Sequence, residues 1–272
     1  MIFFCDIYMM YENVLIPINF VVAIPSYNRS ESISKKTLKC LKDNNIPQDK
    51  IFIFVADEYQ KKLYQEKNPD YKNIIVSQIG LCNSRNFIID YFKEDQPILF
   101  MDDDVSKFIY LDKEKTINEK QESHIMKGDE LIDFVNDAFI RLKLLDLFIF
   151  GLYPASNSFF MKKKVDYDLK FLVGSVYGII NRHKMKGDTI LGDEKEDYSR
   201  TIQYFLEDKK IIRYNYVSPV TTYYKGVGGM VENRTYENQL KACNYLLDKY
   251  PQFFKIDTRK KKSEYPEIKF IC

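Results

Sequence analysis

Three consecutive aspartates, Asp102, Asp103 and Asp104, directly follow the apolar run PILFM at residues 97–101. A carboxylate is costly to bury without a partner, and neighbouring negative charges raise that cost further. A divalent cation offsets it, because Mg²⁺ and Mn²⁺ prefer carboxylate oxygens and keep positions for water and substrate phosphates. The triplet therefore predicts a metal site. The alternative is an acidic turn that caps a following helix beginning at Val105 to Tyr110.

The elements that must position this triplet alternate between strands and helices. Apolar, β-branched runs predict strands at Asn19–Pro25, Ile51–Val55, Ile74–Val76 and Pro97–Met101, and helical spacing predicts helices at Ser30–Asn44, around Leu63 and Tyr64, and at Gly80–Phe92. This alternation indicates a parallel, Rossmann-like sheet, in which ligands bind beyond the carboxyl ends of the strands. The polar run Ser26–Arg29, Asp57 and the aspartate triplet all follow strand ends, so we expect them to meet.

The second half of the chain is less regular. Helices are predicted at Asp129–Leu145, Asp197–Glu207 and Tyr236–Tyr250, and strands at Phe148–Leu152, Phe159–Met161 and Phe171–Ile180. The charged residues Asp112–Gly128 predict a surface excursion or a mobile loop. No internal repeat or linker-like break is present in the sequence, which favours one domain.

Composition limits the classes of function. The 272 residues are 45% hydrophobic and 29% charged, which is enough for a sizeable core and argues against disorder. Because 41 basic and 39 acidic residues leave a net charge of only +2, nucleic-acid binding would have to come from local patches. The densest basic runs are Lys162–Lys164 and Arg259–Lys262.

The cysteines and the N-terminal residues indicate in which cellular compartment the protein is expected. Five scattered cysteines without a CxxC pair suit a reducing compartment and make a zinc site improbable. The apolar N-terminal residues are interrupted by polar ones and never reach the roughly 18 apolar residues of a membrane span. We therefore expect a soluble, cytoplasmic protein, or one in the host cytoplasm if the source is viral.

Four short motifs carry a resemblance to a known family. Ile24–Arg29, Val55–Asp57, Arg85–Asn86 and Leu99–Val105 resemble the nucleotide-sugar glycosyltransferases of the GT-A fold. The Asp triplet with an Arg-Asn pair about 17 residues before it is similar to the TET-associated glycosyltransferases. That group includes base J glucosyltransferases and phage enzymes proposed to glycosylate hydroxymethylated pyrimidines in DNA. The resemblance extends over residues 20–110 and more loosely over 170–230.

The resemblance implies an α/β fold, with a mostly parallel GT-A sheet flanked by helices and an acceptor-side α+β extension. It implies one domain over 1–272, with a nucleotide-sugar-binding half at 19–110 and an acceptor-side half at 129–250. The residues that it assigns to the donor are Pro25, Ser26, Tyr27, Arg29, Asp57, Arg85, Asp102 and Asp103. Asp57 would bind the base or simply cap a helix. Arg85 would pair with the diphosphate or order the aspartates, and the alternative is an ordinary Arg–Asp pair on the helix surface. Asp102 and Asp104 would hold Mn²⁺ or Mg²⁺, and Asp103 would bind the donor or orient the site.

The resemblance also suggests the acceptor side. Glu196 and Asp197 are similar to the acidic pair that supplies a base in inverting GT-A enzymes, with Asp197 the first candidate and Glu196 the second. The alternative is that acidic residues simply favour helix N-termini. Val173–Ser175 and Tyr177–Gly178 resemble a strand bordering the acceptor, or mark a strand bend. The sequence predicts either a loop that closes over the diphosphate or a simple glycine turn at Lys225 and Gly226–Gly229.

The implied reaction is metal-dependent transfer of a sugar from a nucleoside diphosphate sugar, expected to be a UDP-sugar, to an acceptor hydroxyl. The preferred acceptor is a hydroxymethylpyrimidine in DNA, where lysine runs would contact phosphates and aromatic residues would stack on an extruded base. The alternatives are a glycan, lipid or protein acceptor, and an inactive nucleotide-sugar-binding module. Many metal-dependent GT-A enzymes supply a C-terminal His ligand, but no histidine follows His183 here.

Overall fold

The computed structural model describes residues 18–116, 119–221, 235–258 and 265–271. The predictions for Lys225, Gly226–Gly229 and Arg259–Lys262 lie outside these residues.

Strands and helices alternate up to residue 101, and three longer helices separate groups of strands in the later part of the described chain. The strands are β1 Val21–Pro25, β2 Ile51–Val55, β3 Ile74–Val76, β4 Pro97–Met101, β5 Lys107–Lys113, β6 Glu122–Ile125, β7 Ile149–Leu152, β8 Val165–Asp166, β9 Val176–Ile180, β10 Ile212–Tyr214, β11 Val217–Val220, β12 Phe254–Ile256 and β13 Ile268–Phe270. The helices are α1 Ser32–Lys35, α2 Thr37–Asp43, α3 Glu58–Lys67, α4 Leu81–Tyr91, α5 Glu130–Leu144, α6 Glu196–Asp208 and α7 Tyr236–Lys249.

The main sheet has eight strands in the order β3-β2-β1-β4-β9-β7-β10-β8. Strands β3, β2, β1, β4, β7 and β10 run in one direction, and β9 and β8 run in the other. This confirms the predicted α/β class and the mostly parallel sheet. The carboxyl ends of the six co-directional strands therefore share one edge, here called the carboxyl edge.

Both faces of this sheet are covered by apolar layers. Val22 and Ile24 of β1 pack into one layer with Leu41 of α2 and Phe139 of α5, whereas Ala23 packs into the other with residues of α4 and α6. Because successive side chains of a strand point to opposite faces, a strand buried on both sides must be apolar throughout. That requirement explains the unbroken apolar runs read from the sequence.

A smaller sheet, in the order β11-β5-β6, follows directly after the aspartates. Residues 107–113 form a strand, so the alternative of a helix beginning at Val105 to Tyr110 is wrong. Pairing with β11 and burial of Phe108 and Leu111 favour the extended backbone there. The predicted excursion at Asp112–Gly128 contains β6.

Two further sequence predictions are wrong in detail. The helix predicted over Ser30–Asn44 is split into α1 and α2 at Lys36, whose ψ of −93° breaks the helical path. The strand predicted over Phe159–Met161 is a short 3₁₀ turn at Ser158–Phe160, and both phenylalanine side chains are exposed. Exposure removes the packing against a neighbouring strand on which β propensity depends.

Gly178 in β9 is required for packing between neighbouring strands. A Cβ atom on Gly178 would overlap the ring of Phe150 on β7. We expect Gly178→Ala to lower the free energy of unfolding by about 1–3 kcal/mol, since overpacking forces strained rotamers or backbone shifts. Urea denaturation measures this change. The double variant Gly178→Ala/Phe150→Leu should lose less free energy of unfolding than the two single variants lose in sum. An additive loss would contradict the packing of Gly178 against Phe150.

Candidate active site

The aspartate triplet forms a turn at the carboxyl edge of β4, and hydrogen bonds fix it at both ends. The Asp102 backbone N–H donates to the Ser175 carbonyl at 2.8 Å. The Thr37 hydroxyl donates to the Asp102 carbonyl at 2.8 Å and accepts from the Val105 N–H at 3.0 Å. The turn is therefore anchored to α2 on one side and to the segment before β9 on the other.

Asp103 is buried and faces the loop at residues 25–29. Its carboxylate accepts hydrogen bonds from the Ser26 hydroxyl at 2.6 Å and from Arg29 Nη1 at 2.6 Å. Pro25 is the last residue of β1. The central aspartate thus joins the ends of two adjacent parallel strands, and its role toward the donor stays a prediction.

Helix α3 holds the same loop from the other side. The Tyr64 hydroxyl lies 2.7 Å from Ser26 Oγ and accepts from the Arg29 N–H at 3.0 Å. Gln60 exchanges two hydrogen bonds with Asn28, whose φ of 55° makes the sharp turn. These contacts keep the loop in one conformation and leave Tyr27 exposed.

Asp57 lies at the end of β2, as predicted. One carboxylate oxygen accepts from the Gln60 N–H at 2.8 Å, which makes Asp57 the N-cap of α3. The helix-capping alternative is therefore observed, and binding of the nucleotide base by Asp57 stays a prediction.

Arg85 on α4 is buried and connects the aspartate turn to α6. Its Nη2 donates to Asp102 Oδ1 at 2.9 Å and to the Gly174 carbonyl at 2.8 Å, and its Nη1 pairs with Glu196. The planar fork of a guanidinium group suits such simultaneous contacts. Of the two roles predicted for Arg85, the ordering of the aspartates is the one that these contacts perform.

Glu196, at the first position of α6, lies between two arginines. Its second oxygen accepts from Arg200 Nη1 at 2.6 Å, and the Arg200 guanidinium lies 3.6 Å from the centre of the Tyr177 ring. Burial by itself would raise the pKa of Glu196, but the charges of Arg200 and Arg85 outweigh it and hold the pKa below its usual value. A carboxylate engaged in this way is a poor proton acceptor.

The two acidic neighbours at the head of α6 should respond differently to neutralisation. We expect Glu196→Gln to lower the free energy of unfolding by about 3–5 kcal/mol, because it leaves buried guanidinium charge uncompensated. Asp197→Asn should change it by less than about 1 kcal/mol, since an amide oxygen still accepts the one backbone hydrogen bond. Thermal and urea unfolding of the two variants tests this. Equal losses would contradict the assignment of Glu196 as the bridge.

Asp197 is placed differently from Glu196. One of its oxygens accepts from the Tyr198 N–H at 2.9 Å, and its Cβ would lie 3.4 Å from a Cβ built on Gly174. Burial, together with the charge of Glu196, raises the pKa of Asp197 to about 6. The missing side chain of Gly174 thus lets its segment approach the head of α6 closely, where Asp197 is the better candidate base.

Two residues with positioning roles carry no obvious chemical signal in the sequence. Asn86 exchanges hydrogen bonds of 2.7 and 3.0 Å with the Gly187 backbone, and Asp193 accepts from the Cys82 N–H at 2.9 Å at the start of α4. Together they fix the segment that leads into α6 against α4. Asn86 belongs to the Arg-Asn pair that carries the family resemblance, whereas no local pattern in the sequence distinguishes Asp193.

Comparison with known proteins decides the family. The family model of the TET-associated glycosyltransferases matches residues 20–229, which is more than half of the chain. The chain belongs to the TET-associated glycosyltransferases. This confirms the resemblance read from the sequence and shows that the protein is a glycosyltransferase. None of the curated proteins compared matches it.

Solved structures similar to this TET-associated glycosyltransferase are glycosyltransferases with low sequence identity. S. aureus TarS 1-349 is 16% identical with a TM-score of 0.52, and the match covers 85% of this chain and 66% of that one. Its complex with UDP-GlcNAc is 17% identical with a TM-score of 0.54, covering 85% and 67%. The mannosyltransferase PcManGT from Pyrobaculum calidifontis, solved with GDP-Man and Mn²⁺, has a TM-score of 0.46 at 12% identity, covering 91% and 65%. The TarS matches show a shared GT-A fold, and this chain spans about two thirds of TarS 1-349.

The residues of this TET-associated glycosyltransferase that fit a divalent cation are Asp102 and Asp104. Their side chains are 32% and 15% exposed at the carboxyl edge. Burial raises the pKa of Asp102 to about 7, with Asp104 and Asp103 adding to the effect and Arg85 opposing it. This surplus of negative charge suits a cation, and two carboxylates suit Mg²⁺ or Mn²⁺, which keep water and phosphate ligands. Within the described ranges, no group of three or more His, Cys, Asp or Glu side chains is arranged so that it could hold a metal ion.

Other predictions for this TET-associated glycosyltransferase concern its periphery. His183 Nε2 donates a hydrogen bond to the Phe92 carbonyl, 2.9 Å away, and its side chain is half-exposed. Lys162–Lys164 are exposed. No helix within the described parts of the chain is long and apolar enough to cross a membrane.

Proposed function

We propose that this glycosyltransferase transfers a sugar from a UDP-sugar to the hydroxyl group of a hydroxymethylpyrimidine in DNA, with Mn²⁺ or Mg²⁺ held by Asp102 and Asp104. The observation that carries the proposal is the chain of contacts from Asp102 through Arg85 to Glu196. It joins the turn on the donor side to the helix that presents Asp197. The two halves of a group-transfer site are thus fixed relative to each other.

The donor side is built from the loop at residues 25–29 and the aspartate turn. Asp103 holds Ser26 and Arg29 in place. The nucleotide would contact the backbone and side chains of this loop at the carboxyl edge, where Tyr27 is exposed. A cation at Asp102 and Asp104 supplies charge neutralisation for the departing nucleoside diphosphate. Arg85 keeps Asp102 oriented toward that position.

The acceptor side depends on Asp197. In the proposed step, the acceptor hydroxyl oxygen forms a bond to the anomeric carbon while the bond from that carbon to the diphosphate oxygen breaks. The Asp197 carboxylate takes the hydroxyl proton, and the diphosphate leaves with the bonding electron pair. A carboxylate with a pKa near 6 is ionised at neutral pH and still basic enough to assist proton removal.

A product assay with the wild-type protein tests the proposal. The protein is incubated with Mn²⁺, a panel of UDP- and GDP-sugars, and oligonucleotides that contain cytosine, hydroxymethylcytosine or hydroxymethyluracil. We expect nucleoside mass spectrometry to show a sugar mass increment only on a hydroxymethylated base. Metal-dependent hydrolysis of the donor without transfer would reject the DNA acceptor and favour a glycan, lipid or protein acceptor. Neither binding nor hydrolysis of any donor would reject the proposal and favour an inactive module.

A further inference from the structure

The segment 153–164 begins and ends at the carboxyl edge of the sheet. It leaves β7 at the carboxyl end of that strand and enters β8 beside the end of β10, where Val165 pairs with Tyr214. The Tyr153 N–H donates to the Val217 carbonyl at 2.9 Å, and the Lys162 N–H donates to the Asn215 carbonyl at 3.0 Å. Strand β7 is two strands from β4, so the segment begins about 10 Å from the aspartate turn at a spacing of about 4.8 Å.

Two adjacent phenylalanines project from this segment into solvent. Phe159 and Phe160 are 60% and 56% exposed, and their rings are perpendicular with centroids 5.1 Å apart. The turn that carries them is fixed, because the Asn157 side chain accepts from the Phe159 N–H at 3.0 Å and Gln121 donates to the Ser158 carbonyl. Exposed aromatic rings on an ordered turn are typical of a contact surface.

Three consecutive lysines, Lys162 to Lys164, follow the aromatic pair after Met161. The Lys163 ammonium group lies 4.6 Å from the centre of the Tyr110 ring, and Lys162 and Lys164 are exposed. Glu114 and Asp166 lie 3.7 and 2.5 Å from Lys162 and Lys164. The pair of Lys162 with Glu114 is exposed and contributes little free energy, so a phosphate can replace that carboxylate. Asp166 is buried and keeps its contact with Lys164, but an ammonium group has three donors and the exposed Lys164 can contact a phosphate as well.

We propose that this surface, residues 158–164, binds single-stranded nucleic acid that flanks the modified base, with Phe159 and Phe160 stacking on bases and Lys162–Lys164 contacting phosphates. Phosphates and unstacked bases are the complements of lysines and of exposed aromatic rings, and each stacked base contributes about 1–3 kcal/mol. The position at the carboxyl edge puts the bound strand on the acceptor side. This inference rests on the proposed function, because it identifies the acceptor of that site as a polynucleotide.

Fluorescence anisotropy with a labelled single-stranded oligonucleotide tests the surface. We expect Phe159→Ser/Phe160→Ser to weaken DNA binding at least about tenfold. Lys162→Gln/Lys163→Gln/Lys164→Gln should weaken it and reduce the slope of log affinity against log salt by about 2, at about 0.7 for each lost phosphate contact. The matched control variants change exposed residues of the same kinds at the opposite edge of the sheet, just before β7, β4 and β10. They are Leu144→Ser/Leu145→Ser and Lys93→Gln/Lys209→Gln/Lys210→Gln, and neither should change the affinity.

A base-free polyanion separates stacking from charge. Inorganic polyphosphate should compete with DNA equally well for the wild-type protein and for the phenylalanine variant, because it has no bases to stack. Wild-type DNA affinity in the phenylalanine variant, or an equal loss in both control variants, would overturn the inference. The product assay on the wild-type protein judges the proposed function separately. Transfer to DNA with an unaffected phenylalanine variant would reject the surface alone, and DNA binding through the surface without transfer would reject the reaction alone.

Discussion

Asp197→Asn is expected to lower kcat by about 10²–10⁴-fold, because an amide cannot take the acceptor proton. The side chain keeps its size and its backbone hydrogen bond, so the binding of the nucleotide-sugar donor should stay within about twofold. Steady-state kinetics measures the first quantity and calorimetric titration of the donor the second. Full activity of this variant would contradict the role of Asp197.

The pH profile distinguishes a base from a residue that merely shapes the site. Because burial and Glu196 raise the pKa of Asp197 to about 6, the base becomes protonated as the pH falls through that value. At saturating Mn²⁺, kcat/KM of the wild-type protein should therefore fall about tenfold per pH unit below pH 6. In Asp197→Asn this acidic limb should disappear from the residual activity. An unchanged acidic limb would assign the titration to another group.

Asp104→Asn is expected to weaken Mn²⁺-dependent donor binding at least about 100-fold, since it removes one of two carboxylates proposed to hold the cation. Asp104 is the cleaner position to test, because Asp102 also binds Arg85 and its loss would disturb α6 as well. Calorimetric titration of a UDP-sugar with and without Mn²⁺ measures the effect.

The control for that measurement is Asp49→Asn, which neutralises an exposed aspartate in the short turn before β2, at the opposite edge of the sheet. It should bind the donor as the wild-type protein does. If Asp104→Asn also retains wild-type affinity and the same dependence on Mn²⁺, the cation is not held by this turn.

The sequence predicted the first four strands and the edge at which they end, because both rest on local patterns. Apolar runs identified β1 to β4, and parallel strands bring their following residues to one edge. Ser26 and Arg29 contact Asp103 there, although Asp103 lies 77 and 74 positions further along the chain. The aspartate triplet was recognisable because three adjacent carboxylates have few structural explanations.

Residues joined only by tertiary contacts were not predictable in the same way. Arg85 and Glu196 are 111 positions apart, so nothing local indicates that they form a buried pair. Arg200 was missed, although its spacing of four from Glu196 on a predicted helix was an available signal for an ion pair. The turn at Ser158–Phe160 was misread as part of a strand because aromatic residues favour strands whether or not a partner strand exists.

Anomalous diffraction from crystals soaked with Mn²⁺ and a UDP-sugar tests where the metal and the donor bind. We expect a manganese peak at the Asp102 and Asp104 carboxylates, the donor at the aspartate turn and its sugar near Asp197. A manganese peak elsewhere, or a donor bound away from the aspartate turn, would show that these residues do not form the donor site.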